Sequence, residues 1–166
     1  MKIIKNNLII SLALVMIVTT ACEDKDATNS ILFPSLPESG TISGMVTFTG
    51  TWPNAGTLSI SIQNAWPPTG APYASMVITS TDLSSEQYGY TFEIVAFATY
   101  AAITVSWLDP DDSNPATNQH TLGAFGGMYP FFTQYGGTDP TAVTVSVTDY
   151  SKAGLDFSAD LSLATP

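Results

Sequence analysis

The chain predicts an all-β fold: a seven-stranded antiparallel or mixed sandwich whose two sheets pack face to face. Three observations carry that prediction. From residue 41 onward, apolar and polar residues alternate with a period of two in seven separate runs. Clusters of Gly, Pro, Asn, Asp and Ser separate the runs, as turn residues separate strands. No segment of useful length places apolar residues at helical spacing. Strands that are apolar on one face bury that face against a second sheet.

The runs follow in order. Ile42, Gly44, Val46 and Phe48 share one face of the first, with Ser43, Met45, Thr47 and Thr49 on the other. Trp52-Pro53-Asn54-Ala55-Gly56 ends it as a turn. Leu58, Ile60 and Ile62 alternate with Ser59, Ser61 and Gln63. Trp66-Pro67-Pro68-Thr69-Gly70-Ala71-Pro72 is a rigid loop, because its prolines fix φ. Residues 74–80 form a weaker run around Met76 and Ile78, and residues 81–87 allow one short helical turn capped by Thr81 or Ser84. Tyr88, Tyr90, Phe92 and Ile94 share a face opposite Thr91, Glu93 and Val95. Ala101, Ile103, Val105 and Trp107 alternate with Ala102, Thr104 and Ser106. Residues 114–121 read as a loop. The glycines at 123, 126, 127, 136 and 137 read as turns around a short segment at 128–135. Val143, Val145 and Val147, then Leu155, Phe157, Ala159 and Leu161, supply the last two apolar faces. Phe92, Trp107 and Phe157 fall at core positions.

The amino-terminal segment has a different character. Lys2 and Lys5 precede residues 8–18, which are apolar apart from Ser11; small residues follow, then Glu23-Asp24-Lys25-Asp26. This is the order of a secretory signal. Its apolar run is shorter than the roughly 20 residues of a membrane-spanning helix. Thr19-Thr20-Ala21-Cys22 resembles the lipobox of bacterial lipoproteins, departing from it at Thr19, where that family prefers an aliphatic residue. The resemblance implies cleavage after residue 21, diacylglyceryl attachment to the Cys22 thiol and acylation, commonly with palmitate, of the new amino end. The other reading is an ordinary cleaved signal followed by a chance cysteine. One acyl chain anchors weakly, at about 0.8 kcal/mol per buried methylene, whereas two or three on one residue hold durably. The organisation that follows is a signal at residues 1–21, a tether at 22–39 and a β-domain at 40–166. Pro34 and Pro37 discourage regular structure in the tether. Its acidic start resembles the export signal that sends some Gram-negative lipoproteins to the outer face of the outer membrane; a plain solvated linker reads equally well.

Composition narrows the function classes. Beyond residue 21 the chain carries Lys25 and Lys152 against fourteen carboxylates, a charge of −12, and it contains no arginine. Nucleic-acid binding, which needs cations to neutralise phosphate, is excluded. An anionic lipid surface would repel the domain, so acyl chains must hold it there. Lipidation of the single cysteine leaves no thiol for a disulfide, a metal or a nucleophile.

The order of motifs also resembles prealbumin-like domains, the group of transthyretin-like and carboxypeptidase regulatory-like modules. Ile42-Ser43-Gly44-Met45-Val46-Thr47-Phe48 is similar to their first strand. Tyr90-Thr91-Phe92-Glu93-Ile94, followed by Tyr100-Ala101-Ala102-Ile103-Thr104-Val105, is similar to their central pair. Val143-Thr144-Val145-Ser146-Val147 and Gly154-Leu155-Asp156-Phe157 fit their last two strands. Phe97-Ala98-Thr99 replaces the glycine that the group commonly places before the strand tyrosine. The resemblance covers about residues 41–161. It implies a non-catalytic sandwich that supports, spaces or binds.

Candidate sites are few. His120 is the only histidine, so any triad or general base would rest on it alone; a solvated loop histidine is the plainer reading. Asp109, Asp111, Asp112 and Asn114 gather oxygen ligands suited to calcium, with Asp139 as a contributor from another loop; the alternative is an acidic turn. The glycine-rich stretches lack the following helix and cation of a phosphate cradle. Glu86, Glu93 and Asp109 show no spacing of a paired-carboxylate glycosidase. Trp52, Trp66, Tyr73 and Tyr129, with Phe131, Phe132 and Tyr135, lie in or beside loops. Such rings either plug the ends of a sandwich or stack on sugars and partners.

The expectation is therefore a cell-envelope lipoprotein, without enzymatic activity or a required cofactor, attached to the membrane through Cys22 and placed at the outer membrane or cell surface. Its domain serves as a structural or protein-interaction module. The alternative is a carbohydrate-binding lipoprotein that uses the loop aromatics Trp52, Trp66, Tyr73 and Tyr129 on exported polysaccharide.

Overall fold

In the computed structural model the described residues are 35–115 and 117–165. The leader, Cys22 and the tether through residue 34 lie outside them. Among the described residues no helix is long and apolar enough to cross a membrane.

The fold is all-β, as expected, with ten strands in three sheets among the described residues. Strand β1 (Gly40–Thr49) is the centre of the first sheet. It pairs antiparallel with β4 (Gln87–Val95) on one side, and parallel with β9 (Ser151–Lys152) and β10 (Phe157–Asp160) on the other. The second sheet is antiparallel throughout, in the order β3 (Ala74–Ile78), β2 (Thr57–Gln63), β6 (Ala102–Leu108) and β7 (Gln119–Ala124). A small third sheet joins β5 (Ala98–Tyr100) to β8 (Val143–Val145).

One apolar core unites the sheets. Ile42, Val46 and Phe48 of β1 meet Leu58, Ile60 and Ile62 of β2 and Ile103, Val105 and Trp107 of β6. Burying each such side chain contributes about 1.5–3 kcal/mol relative to leaving it in water. Tyr100, Val143 and Val145 of the small sheet join the same cluster.

Two glycines set the closest approaches. Gly44 faces Tyr90 across the β1–β4 ladder, and the Tyr90 hydroxyl passes on to donate to the Leu155 carbonyl at 2.6 Å. A Cβ on residue 44 would press on both Leu155 O and the Tyr90 hydroxyl. At Gly123 a side chain would strike the backbone of Ser158 and Ala159, so β7 can approach β10 only because that position is bare.

The structure corrects the sequence expectation at four places. Residues within 114–121, expected as loop, include the start of β7, whose register runs from Leu108↔Gln119 to Thr104↔Ala124. The run at residues 143–147 leaves the two main sheets and pairs with β5 instead. Ile94 does not share the face of Phe92. Gly40 pairs with Val95 and Ile42 with Phe92, so Thr41 faces two residues, a β-bulge. The bulge turns Ile94 outward (80% exposed, φ +57°) and Val95 into the core. A β-branched residue in the left-handed region costs about 1–2 kcal/mol, which the burial of Val95 offsets. The short helical turn falls at Ser80–Asp82 with Thr79 as its N-cap, in place of Thr81 or Ser84, and Asp82 accepts from Thr79 N at 2.7 Å. The Thr79 hydroxyl, which also donates to this carboxylate, and then that backbone bond hold the Asp82 carboxyl below its usual range.

Candidate functional site

The outer face of the second sheet is polar yet buried. Ser61, Gln63, Thr104 and Ser106 alternate with the core-facing residues and are each at most 2% exposed. Gln63 Nε2 donates to Ser61 Oγ at 3.1 Å and Thr104 Oγ1 at 3.4 Å, which ties β2 to β6 across this face. Ser106 Oγ is the one buried side-chain polar atom among the described residues without a hydrogen-bond partner. Ser106 lies opposite Thr121 and two residues before Leu108, and both of those line a groove of about 1320 Å³.

Two loops wall the groove. The first, between β2 and β3, carries Trp66, Pro67, Pro68 and Pro72; the second, between β7 and β8, carries Tyr129, Pro130, Phe131, Phe132 and Tyr135. Both Trp66-Pro67 and Tyr129-Pro130 are cis. Met128 and Thr138 exchange backbone hydrogen bonds at 3.1 and 2.9 Å and close the second loop at its neck. Asp139 Oδ1 accepts from Thr133 N at 3.1 Å, holding the 3-10 turn Thr133–Tyr135. Phe131 has φ +66°, a strained backbone for a bulky residue. Its side chain is buried while its carbonyl accepts from Trp66 Nε1 at 3.0 Å, so the two walls are joined.

The rings form a connected set. Trp66 stacks on Phe132 with centroids 5.4 Å apart and planes 24° apart. Tyr135 meets Phe132 edge-on at 5.9 Å, and Tyr129 meets Phe131 edge-on at 6.0 Å. Phe131 and Phe132 thus act as pedestals for two phenol rings that are 61% and 69% exposed. Asn118, Gln119, His120 and Thr121 line the β7 side, with Leu163 from the segment after β10. Among the described residues no Asp, Glu, Lys or Arg lines the groove. In a chain of strong negative charge, the described lining is built of rings, prolines, amides and hydroxyls.

Of the four aromatics expected to bind, Trp66 and Tyr129 come together here, while Trp52 and Tyr73 lie elsewhere. Trp52 packs on the core against Phe48, with centroids 5.9 Å apart. Tyr73 leans on Tyr100 at 4.8 Å, and its hydroxyl accepts from Ala96 N at 2.9 Å, bracing the connection from β4 to β5. Burial, together with the Tyr73 hydroxyl, pushes Tyr100 up to about 12. The sequence identified Phe132 and Tyr135 as loop aromatics, but no spacing marked Leu108, Asn118, Gln119 and Thr121 as their neighbours, because that depends on β7 joining the sheet. His120 is not a solvated loop residue: it lies on β7, half-buried, with its ring 5.4 Å from Trp107.

The acidic loop is organised by its own turns. Asp109 is buried, and its Oδ1 accepts from Asp111 N at 2.9 Å. Asp112 accepts from Thr117 Oγ1 at 2.6 Å and from Asn114 N at 2.8 Å, and these bonds, the first above all, hold its carboxyl below the usual range. Asp139 serves the second groove wall. Among the described residues no three His, Cys, Asp or Glu side chains converge as a metal-ligand group.

Comparison with protein-family models, with curated proteins and with solved structures finds no match to this chain.

Proposed function

We propose that this protein is a cell-envelope lipoprotein, held at the outer membrane by acyl chains on Cys22, whose single prealbumin-like β-sandwich is a non-catalytic interaction module. The observation that carries the module reading is the groove: exposed rings on pre-set pedestals, joined walls and, among the described residues, no Asp, Glu, Lys or Arg in the lining. Concave, mostly apolar sites with a few placed polar groups are where proteins bind ligands. The sandwich reading draws support from two four-stranded sheets, β4, β1, β9, β10 and β3, β2, β6, β7, that contribute to one core. The non-catalytic reading draws support from the single histidine, His120, whose ring packs on Trp107. The anchor reading rests on the lipobox resemblance at Cys22.

Labelled palmitate and membrane fractionation test the anchor. The wild-type chain incorporates label and sediments with the outer membrane, and Cys22→Ala yields unlabelled, soluble protein. Unchanged fractionation and labelling of Cys22→Ala would overturn the anchor and leave the groove to be judged separately.

A further inference from the structure

We propose that the groove between the 64–73 and 125–142 loops binds a neutral saccharide chain, with Tyr129 and Tyr135 as its stacking rings. The inference rests on the interaction-module reading above and adds the ligand class. A sugar ring has two requirements: its C–H faces need a flat apolar surface, and the hydroxyls at its rim need groups that both donate and accept. Tyr129 and Tyr135 supply exposed rings, each held edge-on by a neighbouring phenylalanine. Asn118 and Gln119 supply side-chain amides, which donate through nitrogen and accept through oxygen.

Charge selects among saccharides. Among the described residues the lining has no Lys or Arg to pair with a uronate, sulfate or phosphate, and no Asp or Glu to hold an amine or a metal. The surrounding acidic domain repels polyanions. A neutral, hydroxyl-rich chain matches both the rings and the missing charges. Pre-organisation favours binding as well. Trp66 is locked by its stack on Phe132 and its bond to Phe131 O, and the prolines remove loop freedom, so little ordering remains to oppose association.

Affinity electrophoresis of the mature lipoprotein in detergent tests this, using gels that contain neutral glucans, mannans, galactans or xylans, and, as acidic probes, alginate or polygalacturonate. At least one neutral polymer retards the protein, and the acidic polymers do not. Tyr135→Ala and Tyr129→Ala each weaken retardation by about three- to tenfold, while an unchanged melting temperature shows that the fold survives. Absence of retardation across the neutral panel, equal retardation by the acidic polymers, or full retardation of both variants overturns the inference. If the neutral panel fails but a purified envelope protein binds the wild type and not Tyr135→Ala, the saccharide is wrong and the interaction module stands. If neither binds the folded protein, both readings fail.

Discussion

Trp66 Nε1 donates to the carbonyl oxygen of Phe131 at 3.0 Å, joining loops whose residues are 65 positions apart. This one bond sets two walls at a fixed separation and uses the strained φ of Phe131 to aim its acceptor. Trp66→Phe keeps a ring against Phe132 but removes the donor. The expected loss is about 1 kcal/mol in urea unfolding, the net worth of a typical hydrogen bond. Trp66→Ala, which also removes the stack, is expected to lose more.

Gly44 and Tyr90 are predicted to act as a pair. Gly44→Ala presses a methyl group on Leu155 O and the Tyr90 hydroxyl, at an expected cost of about 1–3 kcal/mol. Tyr90→Phe forfeits the 2.6 Å bond to Leu155 O, at about 1 kcal/mol. Because both act on one contact, the double variant loses less than the two losses added together.

Much of this arrangement was legible in the chain. Alternation at Ile42, Val46 and Phe48, at Leu58, Ile60 and Ile62, and at Ile103, Val105 and Trp107 located the core because each run has one strictly apolar face. Strand β7 was not legible: its end is Leu122-Gly123-Ala124, and Gly123 contributes by lacking a side chain where β10 crosses. The outward turn of Ile94 came from a bulge, which period-two reading cannot anticipate. Trp66 and Tyr129 could not be told apart from Trp52 and Tyr73 by sequence, since all four sit beside turns. What separates them is which piece of chain packs on each ring.

Ser106 carries a prediction of the opposite sign. Its Oγ is buried without a partner, and such a group costs roughly 1–3 kcal/mol of desolvation. Ser106→Ala removes that cost and leaves only a small void. Its urea midpoint is expected at or above that of the wild type, whereas Thr104→Ala, which removes an acceptor of Gln63, lowers it.

Stability should also fall at both ends of the pH scale. Burial raises Tyr90 above the usual phenol range, and burial with Tyr73 raises Tyr100 to about 12. An unfolded tyrosine ionises near about 10. The stability these groups contribute is therefore complete below about pH 10 and is lost as pH rises toward about 12. Tyr100→Phe should flatten that decline in a series of urea midpoints. Asp82, Asp112 and Asp160, lowered by hydrogen bonds to Thr79, Thr117 and Ser162, contribute above about pH 4 and lose that contribution on acidification.

The three indole N–H signals give the most direct test of the groove. Trp66 lines it, Trp52 packs on the core, and Trp107, whose Nε1 donates to Ala55 O at 2.8 Å, is not one of its lining residues. Nitrogen-15 spectra of the detergent-solubilised protein, titrated with neutral oligosaccharides, should shift the Trp66 indole signal saturably and leave those of Trp52 and Trp107 in place. A Trp66 signal unmoved by every neutral oligosaccharide, or saturable movement at Trp52 instead, would contradict the account.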